Sequence, residues 1–86
     1  MKHHASSRFR QCLDLLPRDI QELARKNYAL LKRDPAHPSL QFKTVGRGRY
    51  FSARVGIHYR ALGIPVPDGV LWFWVGSHAE YDKLLA

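Results

Sequence analysis

The sequence is poor in cysteine, in acidic residues and in long apolar runs, and each scarcity excludes something. A single cysteine, Cys12, among 86 residues rules out an intramolecular disulfide framework and any zinc site built on several thiolates. A small domain without such staples fits a reducing, cytoplasmic setting. The longest uninterrupted apolar run, Val70 to Val75, is six residues, against the roughly 20 that cross a bilayer. The leading MKHHASSRFR has no signal-like apolar stretch, so neither a membrane partner nor export is expected. Seven acidic residues stand against 14 Lys and Arg, a net charge of +7. No acid falls between Asp34 and Asp68, an interval that holds Lys43, Arg47, Arg49, Arg54 and Arg60 together with His37 and His58. Solvated surfaces usually intersperse both signs, so this one-sided charge points to a polyanion: nucleic acid or an acidic protein.

What is present suffices for one domain over residues 1–86, since 45% of the residues are hydrophobic and 12% aromatic. Ser6 or Ser7 can cap a helix from about Arg8 to Leu16, in which Phe9, Cys12, Leu13 and Leu16 share one face. Pro17 then starts a second helix as its first residue, with Ile20, Leu23, Ala24, Leu30 and Leu31 on a face whose one polar member is Asn27. Asp34-Pro35 ends it. After His37-Pro38 the period falls to two, predicting strands over Leu40 to Val45, Tyr50 to Val55, Ile57 to Leu62 and Val70 to Val75. Gly46-Arg47-Gly48-Arg49 and Pro65 to Gly69 are turns by composition. The near-continuous apolar character of Val70 to Val75 predicts a strand covered on both faces. Ser77-His78-Ala79-Glu80 is a capping box that opens a short helix.

Several chemistries are excluded. The five histidines and Cys12 lack metal-ligand spacing, and His3-His4 read as solvated, so no metal or other cofactor is expected. Gly46-x-Gly48 lacks the third glycine and the following helix of a phosphate-cradling loop. What remains is a basic constellation. Tyr50, Ser52 and Arg54 project to one face, and His58 and Arg60 recur at period two on the next strand, so both arginines can converge on one phosphodiester. His78 follows the last strand at a helix start, where the dipole opposes positive charge and a neutral imidazole is available as a base. A metal-free ribonuclease needs such groups: a base for the 2′-OH, an acid for the leaving oxygen, and cations around the phosphate. The competing plain readings are surface charges for the arginines, a polar helix residue for His78 and a core residue for Tyr81. A sheet that stacks RNA on Tyr50, Phe51, Trp72 and Trp74 is a further reading.

The landmarks Leu15-Leu16-Pro17, Arg33-Asp34-Pro35, Ala53-Arg54-Val55-Gly56, His58-Tyr59-Arg60-Ala61-Leu62 and Val75-Gly76-Ser77-His78-Ala79-Glu80-Tyr81 occur in an order that resembles the RelE/ParE superfamily of toxins from bacterial type II toxin-antitoxin systems. The resemblance covers nearly the whole chain. It implies an α+β fold: a short N-terminal edge strand within Met1 to Ala5 and a helical hairpin, packed on a three- to four-stranded antiparallel sheet, with a short C-terminal helix. It implies a metal-independent endoribonuclease that enters the ribosome, cuts mRNA and halts translation, and that is neutralised by an acidic antitoxin. Under it Arg54, Arg60, His78 and Tyr81 are the catalytic set. Tyr81 would serve as proton donor or stacking platform, and His78 matches the histidine of YafQ-like and HigB-like members. His37, Lys43, Arg47, Arg49 and His58 would bind RNA. Ser52 stands where RelE proper carries a lysine or arginine. ParE proteins share the scaffold and inhibit DNA gyrase instead, so a non-catalytic gyrase inhibitor or a relative that only binds an antitoxin is the alternative.

Overall fold

The computed structural model describes residues Met1–Ala86. The elements are β1 (Lys2–Ala5), α1 (Ser7–Asp14), α2 (Arg18–Arg33), a 3₁₀ turn (Pro38–Leu40), β2 (Lys43–Val45), β3 (Tyr50–Val55), β4 (Tyr59–Val66), β5 (Gly69–Ser77) and α3 (His78–Leu85). Ser6 makes the first cap: its Oγ accepts from the Phe9 amide at 3.1 Å. Pro17 stands one residue before α2 rather than within it. Its ψ of 148° is extended, and its carbonyl accepts the amides of Ile20 and Gln21. Asn27, the polar residue on the apolar face of α2, donates through Nδ2 to the Arg54 carbonyl at 3.3 Å and ties the helix to the end of β3.

The sheet has five strands in the order β1-β5-β4-β3-β2, all antiparallel except β1, which runs parallel to β5. The expected edge strand exists, and its direction makes the sheet mixed. His3, expected to be solvated, is half-buried: its ring stacks on Trp72 and its Nδ1 accepts from Trp72 Nε1 at 3.1 Å. Burial is the main cause that holds its pKa below the ordinary histidine value. His4 does face solvent, with Nε2 3.1 Å from Asp68 Oδ2.

Two expected strands are shorter or displaced. The 3₁₀ turn and a left-handed Gln41 (φ 44°) drop Leu40 into the core at 1% exposure, so β2 begins only at Lys43. Ile57 is exposed in the β3–β4 turn, and β4 begins at Tyr59. The covering of β5 on both faces is observed, with a specific device behind it. Strict alternation would put Trp72 and Trp74 on one face. A bulge pairs Leu62 with Trp74 but Gly63 with Trp72, leaving Phe73 as the extra residue. Trp72 therefore joins Leu13, Ala24, Leu31, Val55 and Val70 under α1 and α2, whereas Trp74 packs with Leu62 and Tyr81 under α3. Gly63 permits this crossing, because a Cβ there would come within 2.5 Å of Val70. Both indoles are core residues, so neither is free to stack a nucleobase.

Candidate functional site

The face of the sheet beneath α3 carries the basic residues. Arg54 pairs with Arg60 across β3 and β4, and Arg60 with Gly76 across β4 and β5. His78 opens α3 two residues beyond Gly76, so the three residues lie on one rung of the sheet and its continuation. Two guanidiniums directly opposite each other repel. Arg60 is held despite this: its Nη1 donates to the carbonyl of Tyr59 at 2.9 Å and reaches those of Gly56 and Ile57 at 3.4 Å. Burial first, and the facing Arg54 second, lower its pKa below the usual arginine range, while Tyr81 and Asp82 act in the opposite sense. It stays a cation. Arg54 Nε is buried with no hydrogen-bond partner. An orphaned buried donor costs about 1–3 kcal/mol, and an anionic oxygen is its natural complement.

The start of α3 is fixed by the residues around it. Ser77 Oγ accepts from the Glu80 amide at 3.2 Å, the cap read from the sequence. The His78 amide donates to the His58 carbonyl at 2.8 Å and anchors the helix to the β3–β4 turn. The His78 ring lies 5.7 Å from that of Tyr81 at 53°, and its Nδ1 is 3.1 Å from Asp82 Oδ2. Tyr81 donates its hydroxyl to Ser52 Oγ at 3.0 Å, and the two residues are 8% and 2% exposed. This corrects the expectation for Tyr81: a buried ring whose hydroxyl is engaged inside the protein neither stacks on a base nor reaches a leaving oxygen.

Of the other residues singled out from the sequence, His58 is exposed in the β3–β4 turn, where its carbonyl accepts the His78 amide. Lys43 is exposed on β2, opposite Ser52. Arg47 and Arg49 are exposed on the β2–β3 turn, which borders Leu84 and Leu85 at the far end of α3. One length of an eight-residue helix, about 10 Å, therefore separates them from His78. His37 caps the 3₁₀ turn, where its Nδ1 accepts from the Ser39 amide at 3.2 Å and lies 2.8 Å from Ser39 Oγ. Sequence reasoning missed three things. Asp82 lies one helical turn from His78, a spacing that could have revealed it. Ser52 is a buried acceptor rather than a gap in the basic row. Lys26 and Arg33 of α2 join Arg54 around an open groove of about 450 Å³.

Compared with known families, residues 18–83 match the ParE-like toxin domain. The chain belongs to the ParE-like toxin family. Solved structures extend the likeness beyond that match to nearly the whole length of this toxin. The RelB-RelE antitoxin-toxin complex from Methanococcus jannaschii aligns with a TM-score of 0.73 at 16% identity, covering 96% of this chain and 99% of that one. A copper-bound mutant toxin from Helicobacter pylori aligns with a TM-score of 0.61 at 17% identity, covering 93% and 97%. Identities this low establish a shared fold, the RelE-like α+β fold. No curated protein matches the sequence.

Proposed function

We propose that this ParE-like toxin is a metal-independent endoribonuclease that cuts mRNA on the ribosome and is neutralised by an acidic antitoxin. The observation that carries the reading is the convergence of Arg54, Arg60 and His78 at the end of the sheet near the β3–β4 turn. His78 Nε2 would take the proton of the 2′-OH while the two guanidiniums bind the phosphate and offset the charge that gathers on it. With Tyr81 buried, protonation of the leaving 5′ oxygen falls to the imidazolium so formed or to water. The net charge of +7 suits ribosomal RNA, and the same charge suits an acidic antitoxin segment laid over Arg54 and Arg60. A partner of that kind is supported by the toxin-antitoxin complex whose fold this chain shares.

The second reading, a gyrase inhibitor that cuts no RNA, is favoured by the ParE-like family match. One experiment separates the two. Growth arrest, mRNA cleavage and gyrase supercoiling are compared for the wild type, His78→Ala and Arg60→Ala, with circular dichroism confirming each fold. Loss of cleavage of about 100-fold or more in folded His78→Ala is expected. A wild type that blocks gyrase and leaves mRNA intact establishes the second reading.

A further inference from the structure

We infer that the groove between α2 and the β3–β4 turn is a second RNA contact, in which Lys26 and Arg33 hold backbone phosphates of the strand whose scissile phosphate lies on Arg54 and Arg60. The inference deepens the ribonuclease reading and rests on it for the identity of that strand. Arg54 belongs to both places: it lines the groove and stands opposite Arg60 across β3 and β4. The groove therefore continues the candidate site. Lys26 and Arg33 are exposed on one face of α2, seven residues or about 10 Å apart along its axis, and no carboxylate lines the groove. The molecule's ion pairs, His4–Asp68 and His78–Asp82, involve none of these three cations. Unpaired charge of one sign around a concave surface draws counter-ions to it, and the buried Arg54 Nε adds a donor without a partner. The groove between α1 and α2 differs, because Asp14 lies among Arg10 and Arg25. An opening of about 450 Å³ suits a group the size of a nucleotide, since sites for small ligands span roughly 300–1,000 Å³. A protein helix is the poorer occupant. Leu23 and Leu30 are half-buried against the core, which leaves Ile57, 70% exposed, as the one exposed large apolar side chain in the groove. An amphipathic helix anchors through several apolar residues three or four apart, whereas a single RNA strand needs cations along its path.

The test uses the full chain, with each fold checked by circular dichroism, and a fluorescent 2′-O-methyl oligoribonucleotide of about eight nucleotides. Its blocked 2′ oxygens let the probe bind without being cut, so binding is read apart from cleavage. Each phosphate contact to a single strand contributes about 0.7 to the slope of log K against log salt. The double variant Lys26→Gln, Arg33→Gln removes two contacts, so it should flatten the slope by about 1.4 and weaken binding at about 50 mM salt. The double variant Arg8→Gln, Arg18→Gln removes the same charge from exposed positions outside the groove and should keep the wild-type slope. On ribosomes the groove variant should cut mRNA with its loss in KM rather than kcat, as when uniform binding is removed. Three results overturn the inference: a wild type that does not bind the probe, an unchanged slope in the groove variant, or equal flattening in both double variants, which assigns the effect to net charge. Weaker antitoxin or ribosome binding by the groove variant with probe binding intact overturns it too, because the groove is then a protein or ribosomal RNA contact. A wild type that binds the probe through the groove and cuts no mRNA overturns the ribonuclease reading instead and leaves the RNA contact standing.

Discussion

Replacing Tyr81 with phenylalanine separates a structural tyrosine from a catalytic one. The substitution removes a single oxygen, which in the wild type donates to Ser52 Oγ at 3.0 Å in a pocket where Ser52 is 2% exposed. Tyr81→Phe leaves that serine hydroxyl buried without its partner, a cost of about 1–3 kcal/mol. For a domain of this size each kcal/mol moves Tm by roughly 4–8 °C, so a fall of about 5 to 20 °C is expected. The double variant Ser52→Ala, Tyr81→Phe removes both polar partners and should recover much of the loss, giving a coupling of about 0.5–3 kcal/mol in a double-mutant cycle. Urea and thermal unfolding by circular dichroism measure the stability side. RNA cleavage measured well below the Tm of every variant supplies the other side: the double variant should cut within a few-fold of the wild type, because the ring that supports His78 remains. Wild-type stability of Tyr81→Phe combined with abolished cleavage would refute this reasoning and return the hydroxyl to the chemistry.

Three further outcomes follow from the same geometry. The half-buried His3 has a folded-state pKa below its ordinary value, so as pH falls from about 6.5 the unfolded chain takes up the proton first and stability declines. Urea midpoints at pH 7.5 and 5.0 should differ less in His3→Gln than in the wild type, and equal pH dependence would show that His3 is not the group responsible. Gly69→Ala would set a Cβ 1.9 Å from the Lys2 carbonyl oxygen, so β1 should be forced off the sheet, with loss of amide protection at residues 2–5 and a lower Tm; wild-type protection would contradict the close approach. Charge reversal of Arg47 and Arg49 should weaken ribosome binding and flatten its salt dependence while the fold stays intact, since both side chains are exposed; an unchanged salt slope would remove this turn from the RNA contact.

The parts of the fold legible in the sequence are those set by local periodicity. The faces of α1 and α2, the Ser77 cap and the turns at Gly46 and Asp68 depend on residues within a few positions of one another. β1 had no such signal: Lys2–Ala5 carries no alternation, and its pairing depends on β5, far along the chain. Leu40 lies in the 3₁₀ turn rather than in a strand because a left-handed Gln41 interrupts an apparently regular alternation. In the site, the pairing of Arg54 with Arg60 follows directly from period two across a short turn. The burial of Tyr81 does not, because an amphipathic tyrosine reads equally well as core or surface until its partner, Ser52, is located. The i, i+4 spacing of His78 and Asp82 is readable along α3, in the same stretch as the capping box that pairs Ser77 with Glu80.

The parallel pairing of β1 has a kinetic consequence. Lys2 meets Gly69 across 67 positions of sequence, whereas the pairings among β2, β3, β4 and β5 close through short turns. A parallel neighbour cannot be zipped from a hairpin, and long loops are the last to repay their closure entropy. During synthesis β1 therefore waits, already made, until β5 exists to receive it. Until it docks, His3 leaves Trp72 uncovered and the β5 edge presents unpaired amides and carbonyls. The same strand is a natural first unit to detach in the folded protein. In both directions the free β5 edge is a brief opening for a foreign strand, closed by four residues.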